Sequence, residues 1–499
     1  MTQTTKRILA MLMALAMLFA VVGCGEEKTD DTSSVTSTED TTDDTASVSD
    51  DDFFGDAVED IDDSTTTTQN NQGTTNGNGT TNQTGTTTTN KVSLDKYWKE
   101  IKEKMPDFSG KTIQVYNWNA QEEYPGLAGV VKNFTKATGV NVKWVREDGS
   151  TYLQKLTSLI ATKKAPDIIR THYPTPHVWA LSQDLSVSKF DYNNEVWDQA
   201  FMSNNTVNGK VYAANTSASI FVGPQILFYN RSLITKYNLD DPYKLWKNDK
   251  WTLDAFEKLM RDYKKATGNA AIGGNMIDKY LTNVYAIPGE IKFDKKQQKF
   301  VTNLDDSRLI GVMQRAADIV NKENLTVSWG LDEFDRGDIL MFCGTGVTAK
   351  RMNPYAATVK SQGNLGTVPW PTVSGNKNDA YAGWGDDGFA IPKGSPNPEI
   401  FPYYVTYVTD PSRYDLKTYF ADDQCVEVFN FLTSLPASNR IAGLGFDQVA
   451  GNFVGDYKSI DEAISGKTGD QIPAALNANT NLSQLRADEY NKVLATVGK

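Results

Sequence analysis

The sequence predicts an α/β fold with two domains, and three observations support this prediction. Segments with strand-like and helix-like periodicity alternate from about residue 110 onward. A body of about 405 residues follows a polar N-terminal region, and this length suits two domains of ordinary size. The body is also rich in Trp, Tyr and Phe, which can fill a large core.

The first five segments of the body predict its architecture. Thr112–Asn117 alternates with period two, which is typical of a strand. The patterns that follow predict a helix, a strand, a helix and a third strand, at Leu127–Thr138 (ended by Gly139), Val140–Trp144, Tyr152–Lys163 and Pro166–Ile169. This order implies right-handed crossovers and a mainly parallel sheet with helices on its faces.

Ligands of such sheets bind beyond the carboxyl ends of the strands. The first predicted strand is followed by Trp118 and Asn119, and the third is followed by Arg170, Thr171, His172 and Tyr173. These two short segments are therefore the first candidates for ligand contacts.

The N-terminus has the layout of a secretory signal. Lys6 and Arg7 precede an apolar stretch, Ile8–Val22, which is shorter than a membrane span of about 20 residues. The order Val21-Val22-Gly23-Cys24 resembles the bacterial lipobox, in which cleavage leaves a cysteine that carries lipid. We expect residues 1–23 to be a signal peptide and Cys24 to be a lipid anchor. The alternative is an ordinary signal with a chance cysteine.

Residues 24–91 have the composition of a disordered tether. They consist mainly of Thr, Asp, Ser, Asn and Gly, and such a segment cannot bury enough apolar surface to offset the entropy of ordering. A flexible chain of this length reaches on the order of 40–50 Å. The aromatic pair Phe53-Phe54 is the exception, and it is either a weak docking motif or a chance occurrence.

The negative charge of the chain is concentrated in this tether. Residues 26–90 hold 16 acidic residues and one basic residue, whereas residues 91–499 hold 46 acidic and 47 basic residues. The body is therefore near neutral, and its charge gives no argument for nucleic acid or for an anionic polymer. A neutral ligand is the simpler expectation.

Motifs for catalysis or metal binding fail their context tests. Gly383–Gly388 matches G-x-G-x-x-G, but two carboxylates lie inside it and no helix pattern follows, so no dinucleotide site is expected. His172 and His177 have no helix to bring them together as metal ligands. The acid pairs Glu122-Glu123 and Asp386-Asp387 fit solvated surface better than a glycosidase pair. We expect no metal, no cofactor and no enzymatic activity.

Two cysteines remain in the body, Cys343 and Cys425, and they show no metal spacing. Export would permit a disulfide between them, and two buried free thiols are equally compatible with the sequence. The pairing stays open at this point.

Four blocks of the body, taken in order and spacing, resemble the extracellular sugar-binding proteins of ABC importers (solute-binding family 1, related to maltose-binding protein). The match spans roughly residues 110–499. The blocks are Lys164–Ile169, Asn208–Tyr212 with Leu227–Arg231, Trp251–Phe256, and Leu365–Pro369 with Gly388–Glu399.

The resemblance implies a two-lobed, periplasmic-binding-protein-like fold of type II, with the ligand in a cleft between α/β lobes. The N-terminal lobe would comprise residues 92–222 and 389–436, and the C-terminal lobe residues 223–388 and 437–499. Crossovers would fall near Ile220–Gln225, Gly383–Phe389 and Ser434–Ser438.

A sugar requires flat aromatic faces and planar polar groups around its hydroxyls. Candidates that combine these groups with positions facing the implied cleft are Trp118, Asn119, Arg170, Thr171, His172, Tyr173, Tyr280, Trp370, Tyr381, Trp384, Asp386 and Asp387. Core packing is the alternative for every aromatic among them, above all for Tyr280 and Trp370.

The resemblance implies a monomeric, lipid-anchored binding protein on the extracellular face of a bacterial membrane. It would deliver a carbohydrate, most simply a neutral oligosaccharide, to the permease subunits of an ABC importer, and it would bind no nucleic acid. The alternatives are an importer receptor for a peptide, polyamine or metal chelate, and a surface carbohydrate-binding adhesin or enzyme.

Overall fold

The fold is described from a computed structural model of the chain. The described residues are 93–149, 151–172, 175–221, 223–274, 276–287, 289–304, 306–327, 330–345, 363–385, 387–415, 422–441, 447–449, 452–454 and 465–498. The predicted signal peptide, Cys24 and the predicted tether lie outside them, as do Tyr173 and Asp386.

The helices surround two separate sheets. In chain order they are α1 Leu94–Glu103, α2 Leu127–Thr138, α3 Tyr152–Ala161, α4 Pro176–Leu181, α5 Gln199–Asn204, α6 Arg231–Lys236, α7 Pro242–Lys247, α8 Leu253–Thr267, α9 Met276–Tyr285, α10 Ser307–Ala317, α11 Leu331–Arg336, α12 Phe401–Val408, α13 Asp423–Thr433 and α14 Ile472–Leu494. A π-helical turn, Asp318–Lys322, continues α10. Short 3₁₀ turns occur at Gln121–Glu123, Leu185–Ser188, Lys377–Asp379, Pro398–Ile400, Pro411–Arg413, Ala437–Asn439 and Gly469–Gln471.

The first sheet has the strand order β13-β3-β1-β2. Its strands are β1 Thr112–Asn117, β2 Asn141–Arg146, β3 Ile168–His172 and β13 Asp387–Ala390. Strand β1 lies parallel to β2 and β3, whereas β13 runs antiparallel to β3. The crossover helices α2 and α3 connect the parallel strands, as the sequence pattern predicts.

The second sheet has the order β14-β12-β6-β10-β7, and β11 also pairs with β6. Its strands are β6 Gly223–Asn230, β7 Ile272–Gly273, β10 Met341–Thr345, β11 Leu365–Val368, β12 Ala382–Gly385 and β14 Arg440–Ile441. All three partners of β6 run antiparallel to it, so the prediction of a mainly parallel sheet applies only to the first sheet.

Three two-stranded ladders lie outside these sheets. They are β4 Thr206–Val207 with β5 Lys210–Val211, β8 Ile291–Asp294 with β9 Lys299–Thr302, and β15 Asp447–Val449 with β16 Asn452–Val454. Lys295 and Gln298, in the turn between β8 and β9, line a groove.

Several predicted bounds are confirmed and others shift for physical reasons. Strand β1 and helix α2 have the predicted limits, and Gly139 ends α2 in the left-handed region at φ 71°. Helix α3 stops at Ala161, and Lys163 takes a positive φ of 59°. Strand β3 begins later and runs through His172 because β13 pairs with it there. Arg170 and Thr171 therefore lie within the strand, not beyond it.

The chain changes sheet between β12 and β13, which are separated by one residue. Strand β6 begins at Gly223 beside β12, with Pro224 opposite Trp384. The lobe boundaries within residues 92–499 stay a prediction, and the two sheets are described below as the first and second sheet.

The core is apolar and contains both body cysteines. Cys343 and Cys425 are buried free thiols, and burial raises the pKa of the Cys425 thiol to about 11. Among the described residues, no helix has the length and apolar character needed to cross a membrane.

Candidate ligand-binding site

The buried guanidinium of Arg170 is the centre of the candidate site. Only 1% of the residue is exposed, although it carries a permanent charge. Three rings surround it, with their centroids 4.8 Å (Tyr124), 5.2 Å (Phe221) and 5.6 Å (Trp118) from its central carbon. Aromatic faces attract a cation, and the attraction strengthens where water is excluded. Trp118, Tyr124 and Phe221 are called the aromatic cage below.

A chain of hydrogen bonds extends from this cation to the end of β1. Arg170 Nη1 donates to the hydroxyl of Tyr124, which donates to Asn119 Oδ1 over 2.9 Å. The backbone N–H of Asn119 donates to Asn117 Oδ1 over 2.9 Å, and its carbonyl accepts from Trp144 Nε1 over 2.9 Å. Both the side chain and the backbone of Asn119 are thereby held in place.

Tyr152 joins the ends of β1 and β3 from the side of helix α3. Its hydroxyl lies 2.9 Å from the carbonyl oxygen of Arg170 and 3.2 Å from that of Tyr116. Its ring meets Trp118 edge to face, with centroids 5.2 Å apart. Burial raises the pKa of Tyr152 well above its usual value, so the hydroxyl stays protonated. Trp118, the partly exposed ring of the cage, is thus supported by both Tyr152 and Arg170.

Among the buried polar atoms of the same strands that have no hydrogen-bond partner within the described residues, two belong to residues with no exposed surface. They are Asn117 Nδ2 and Thr171 Oγ1, and both residues are fully buried. Buried polar groups in native proteins are nearly always satisfied by protein, water or ligand. Both atoms are therefore available to a ligand or an ordered water molecule.

Strand β13 brings a further part of the chain to this place. In its register Asp387 lies opposite His172, Gly388 opposite Thr171 and Phe389 opposite Arg170. A side chain at Gly388 would clash with the ring of Phe201, so the close approach of helix α5 requires glycine here. The backbone thus groups Asp387 with the candidates on β3.

The remaining candidates belong to the second sheet. Trp384 lies in β12, and the partly exposed Tyr381 precedes that strand and interacts electrostatically with Arg308. Beside Trp384, the N–H of Gly383 donates to Asn283 Oδ1 over 2.6 Å, and Asn283 Nδ2 donates to Gln225 Oε1 over 2.5 Å. These hydrogen bonds link β6, α9 and β12 in one polar network.

Tyr280 and Trp370 pack in the second-sheet region and are not brought together with Arg170. The Tyr280 hydroxyl donates to the buried Glu257 over 3.1 Å, and burial raises its pKa. Trp370 is 2% exposed and packs on Phe256 with centroids 5.8 Å apart. Packing accounts for both rings.

Sequence reasoning missed four residues of the site: Asn117, Tyr124, Tyr152 and Phe221. Tyr152 and Asn117 look like ordinary members of a helix and a strand, and their periodicity gives no sign of a further role. Tyr124 and Phe221 lie in irregular segments far apart in sequence. Phe221 lies within the predicted first crossover, Ile220–Gln225, and this position is the one signal that the sequence offers.

The chain matches the family profile described as "Bacterial extracellular solute-binding protein" over residues 117–411, which is more than half of its 499 residues. The protein belongs to this family. The matched range begins at the last residue of β1. It contains the aromatic cage and the strands β12 and β13, between which the chain changes sheet.

Solved structures show the same fold at low sequence identity. The GacH receptor of Streptomyces glaucescens, solved unliganded and with acarbose, is 16% identical with a TM-score of 0.54 over 77% of this chain and 98% of that one. An ABC transporter solute-binding protein from Thermotoga lettingae, bound with α-D-tagatose, is 15% identical with a TM-score of 0.53 over 77% of this chain and 100% of that one. Maltose-bound MalE3 of T. maritima is 18% identical with a TM-score of 0.50 over 75% of this chain and 100% of that one.

These likenesses confirm the predicted family and the two-lobed solute-binding fold. The matched proteins are solute-binding proteins, not enzymes. In this fold the candidate residues lie near the ends of β1 and β3, next to the aromatic cage. The candidate site therefore lies where an α/β sheet of this kind presents its ligand contacts.

Proposed function

We propose that this solute-binding protein carries a neutral saccharide to the permease subunits of an ABC importer. The observation that carries the proposal is the aromatic cage at the end of β1 and β3. It offers the partly exposed ring of Trp118 next to buried polar groups whose hydrogen-bonding capacity is not used up. A sugar presents a C–H face to such a ring and hydroxyls to such groups.

The rigidity of the site supports recognition of a polar ligand. Asn119 is fixed through its side chain, its N–H and its carbonyl, and Arg170 is fixed by three rings. Fixed polar groups lose little entropy when a ligand binds. The bound saccharide would satisfy Asn117 Nδ2 and Thr171 Oγ1, which raises the cost of binding a ligand that lacks hydroxyls.

A thermal-shift screen of the full chain tests this function. Neutral oligosaccharides, a peptide mixture and spermine are added separately, and binding to the folded state raises the melting temperature by mass action. We expect a saccharide to give the shift. A shift with the peptides or spermine and with no saccharide would replace the proposal by the receptor for a non-sugar solute.

Calorimetry with the saccharide that gives the shift then locates the site. Trp118→Ala should weaken its binding by about 2 kcal/mol, as for an aromatic anchor. Tyr243→Ala is the matched control, because Tyr243 is a partly buried aromatic residue on helix α7 that contacts Trp246 and Glu427 outside the cage. Equal losses in both variants would contradict the assignment of the cage.

The anchor and the tether complete the proposal. Cys24 would carry the lipid, residues 24–91 would hold the monomeric binding unit off the membrane, and the tether would contribute nothing to affinity. Cys24→Ala should release the protein to the medium or leave an uncleaved precursor, since only the thiol accepts the lipid. A truncated chain starting at Val92 should bind with unchanged affinity, and a tenfold loss, about 1.4 kcal/mol, would contradict this part.

A further inference from the structure

The described residues form a groove that shares no residue with the aromatic cage. It has a volume of about 590 Å³, within the range of small-molecule sites. We call it the lateral groove and define it by Asp184, Phe190, Asp191, Tyr192, Met202 and Lys295. Three of these residues are charged, and none of them has a role in the site described above.

The floor of the lateral groove is an aromatic surface held in place by its neighbours. The rings of Phe190 and Tyr192 meet edge to face at 5.2 Å, and Tyr192 packs in the same way on Trp197 at 4.8 Å. The hydroxyl of Tyr192 shares a hydrogen bond of 2.8 Å with Ser188. A ligand would therefore meet preformed apolar faces.

Two carboxylates that line the lateral groove keep acceptor capacity. Asp184 Oδ1 accepts from the N–H of Ser186 over 3.2 Å, and Asp191 Oδ1 accepts from the N–H and side chain of Asn193 over 3.0 and 2.7 Å. Within the described part of the chain, neither carboxylate lies within ion-pair distance of a cation. The second oxygen of each can thus accept from a ligand hydroxyl.

The turn between β8 and β9 also lines the groove, through Lys295 and Gln298, and it is tied to helix α5. Lys295 Nζ donates to Ser203 Oγ over 2.9 Å and to Asn204 Oδ1 over 3.0 Å. An ammonium group has three donors, so one remains for a ligand. The N–H of Asn208 also donates to Gln298 Oε1 over 2.8 Å, which fixes the turn against the β4–β5 ladder.

We infer that the lateral groove is a second saccharide-binding site, independent of the aromatic cage. Its aromatic floor, two carboxylates and one ammonium group match the C–H face and the hydroxyl edge of a neutral sugar unit. An anion such as phosphate would be repelled by the two carboxylates and attracted by only one ammonium group, so an anionic ligand fits the groove less well. The described residues contain no group of three ligands that could hold a metal ion.

Calorimetric titration of the full chain with maltotetraose, cellotetraose and xylotetraose tests this inference. We expect one of these probes to bind in a millimolar or tighter event that Asp191→Ala or Lys295→Ala weakens at least tenfold. The matched controls are Glu195→Ala and Lys296→Ala, which remove exposed neighbours of the same charge outside the groove. Both controls should leave the event unchanged.

The variant Trp118→Ala separates this inference from the proposed function. It should weaken binding at the aromatic cage and leave the event at the lateral groove intact, whereas Asp191→Ala should do the reverse. The inference is overturned if no tetraose gives an event sensitive to Asp191 and Lys295. It is also overturned if spermine gives the Asp191-dependent event in place of the sugars, which would make the groove a polyamine site.

Discussion

The two sheets of this protein use their polar residues differently. Near the ends of β1 and β3, three rings surround a buried cation, and Asn117 Nδ2 and Thr171 Oγ1 of the first sheet have no hydrogen-bond partner among the described residues. Next to β12 in the second sheet, Gln225, Asn283 and the backbone of Gly383 satisfy one another. The first arrangement has capacity for a ligand, whereas the second links three elements of the fold through hydrogen bonds.

The comparison indicates how a ligand would be shared between the sheets. The first sheet can supply hydrogen bonds as well as the ring of Trp118. In the second sheet, Trp384 is the candidate that lies in β12 itself. Substitutions on the two sides should therefore separate effects on affinity from effects on stability.

The largest effect that tests this comparison is expected for Trp384→Ala. If Trp384 offers its ring to a saccharide, its loss should weaken binding by more than about 2 kcal/mol, as for other aromatic hot spots. The folded state should survive. Calorimetry with the saccharide identified by thermal shift measures the affinity, and melting curves without ligand measure the stability.

The competing explanation for Trp384 is packing at the crossover between the sheets. In that case Trp384→Ala would melt at a lower temperature without ligand and would bind with nearly unchanged affinity. Such a result would confine the site to the first sheet and would remove Trp384 from it.

Gly383→Ala should damage the second sheet by a smaller amount and through stability. A Cβ at this position would clash with the side-chain amide of Gln225 and approach Asn283 Nδ2 to 3.0 Å. Overpacking of this kind costs about 1–3 kcal/mol of unfolding free energy. Urea unfolding measures the loss.

Gly311→Ala is the matched control for this variant. A Cβ there meets nothing within 4 Å, and Gly311 lies inside helix α10. Alanine should raise the free energy of unfolding by about 0.5–1 kcal/mol because it favours the helix. If both variants unfold at the same urea concentration, the network beside β12 is not a rigid structural element.

The first sheet could be predicted from sequence because its information is local. Strand β1 alternates with period two, and helix α2 has both an apolar face and a terminal glycine, so their limits follow from neighbouring residues. Strand β6 is a run of buried residues without alternation. Its partners β10, β11 and β12 come from more than 100 residues later, and no local pattern specifies their antiparallel register.

The site could be predicted from sequence where it lies near the ends of β1 and β3. Trp118 and Asn119 follow β1, and Arg170 follows the predicted third strand, although it lies within β3 in the structure. These residues were expected because α/β sheets present ligand contacts at strand ends. Tyr124 and Phe221 reach Arg170 from irregular segments about 50 residues away on either side, and their rings look like any core aromatic in sequence. Tyr280 and Trp370 show the converse, because their sequence surroundings suit a ligand contact while their rings are buried by packing.

The smallest effect is expected for Asp387→Asn. Asp387 lies opposite His172 at the edge of the first sheet, next to Thr171 and its partner Gly388. An amide oxygen can still accept a hydrogen bond from a sugar hydroxyl, so this variant should lose less than about 1 kcal/mol of binding free energy. Asp387→Ala removes the acceptor and should lose more, about 1–3 kcal/mol.

Calorimetry on these two variants distinguishes a need for a hydrogen-bond acceptor from a need for a negative charge. If Asp387→Asn loses as much as Asp387→Ala, the negative charge itself is required, and the ligand at the first sheet carries a positive charge instead of being a neutral saccharide.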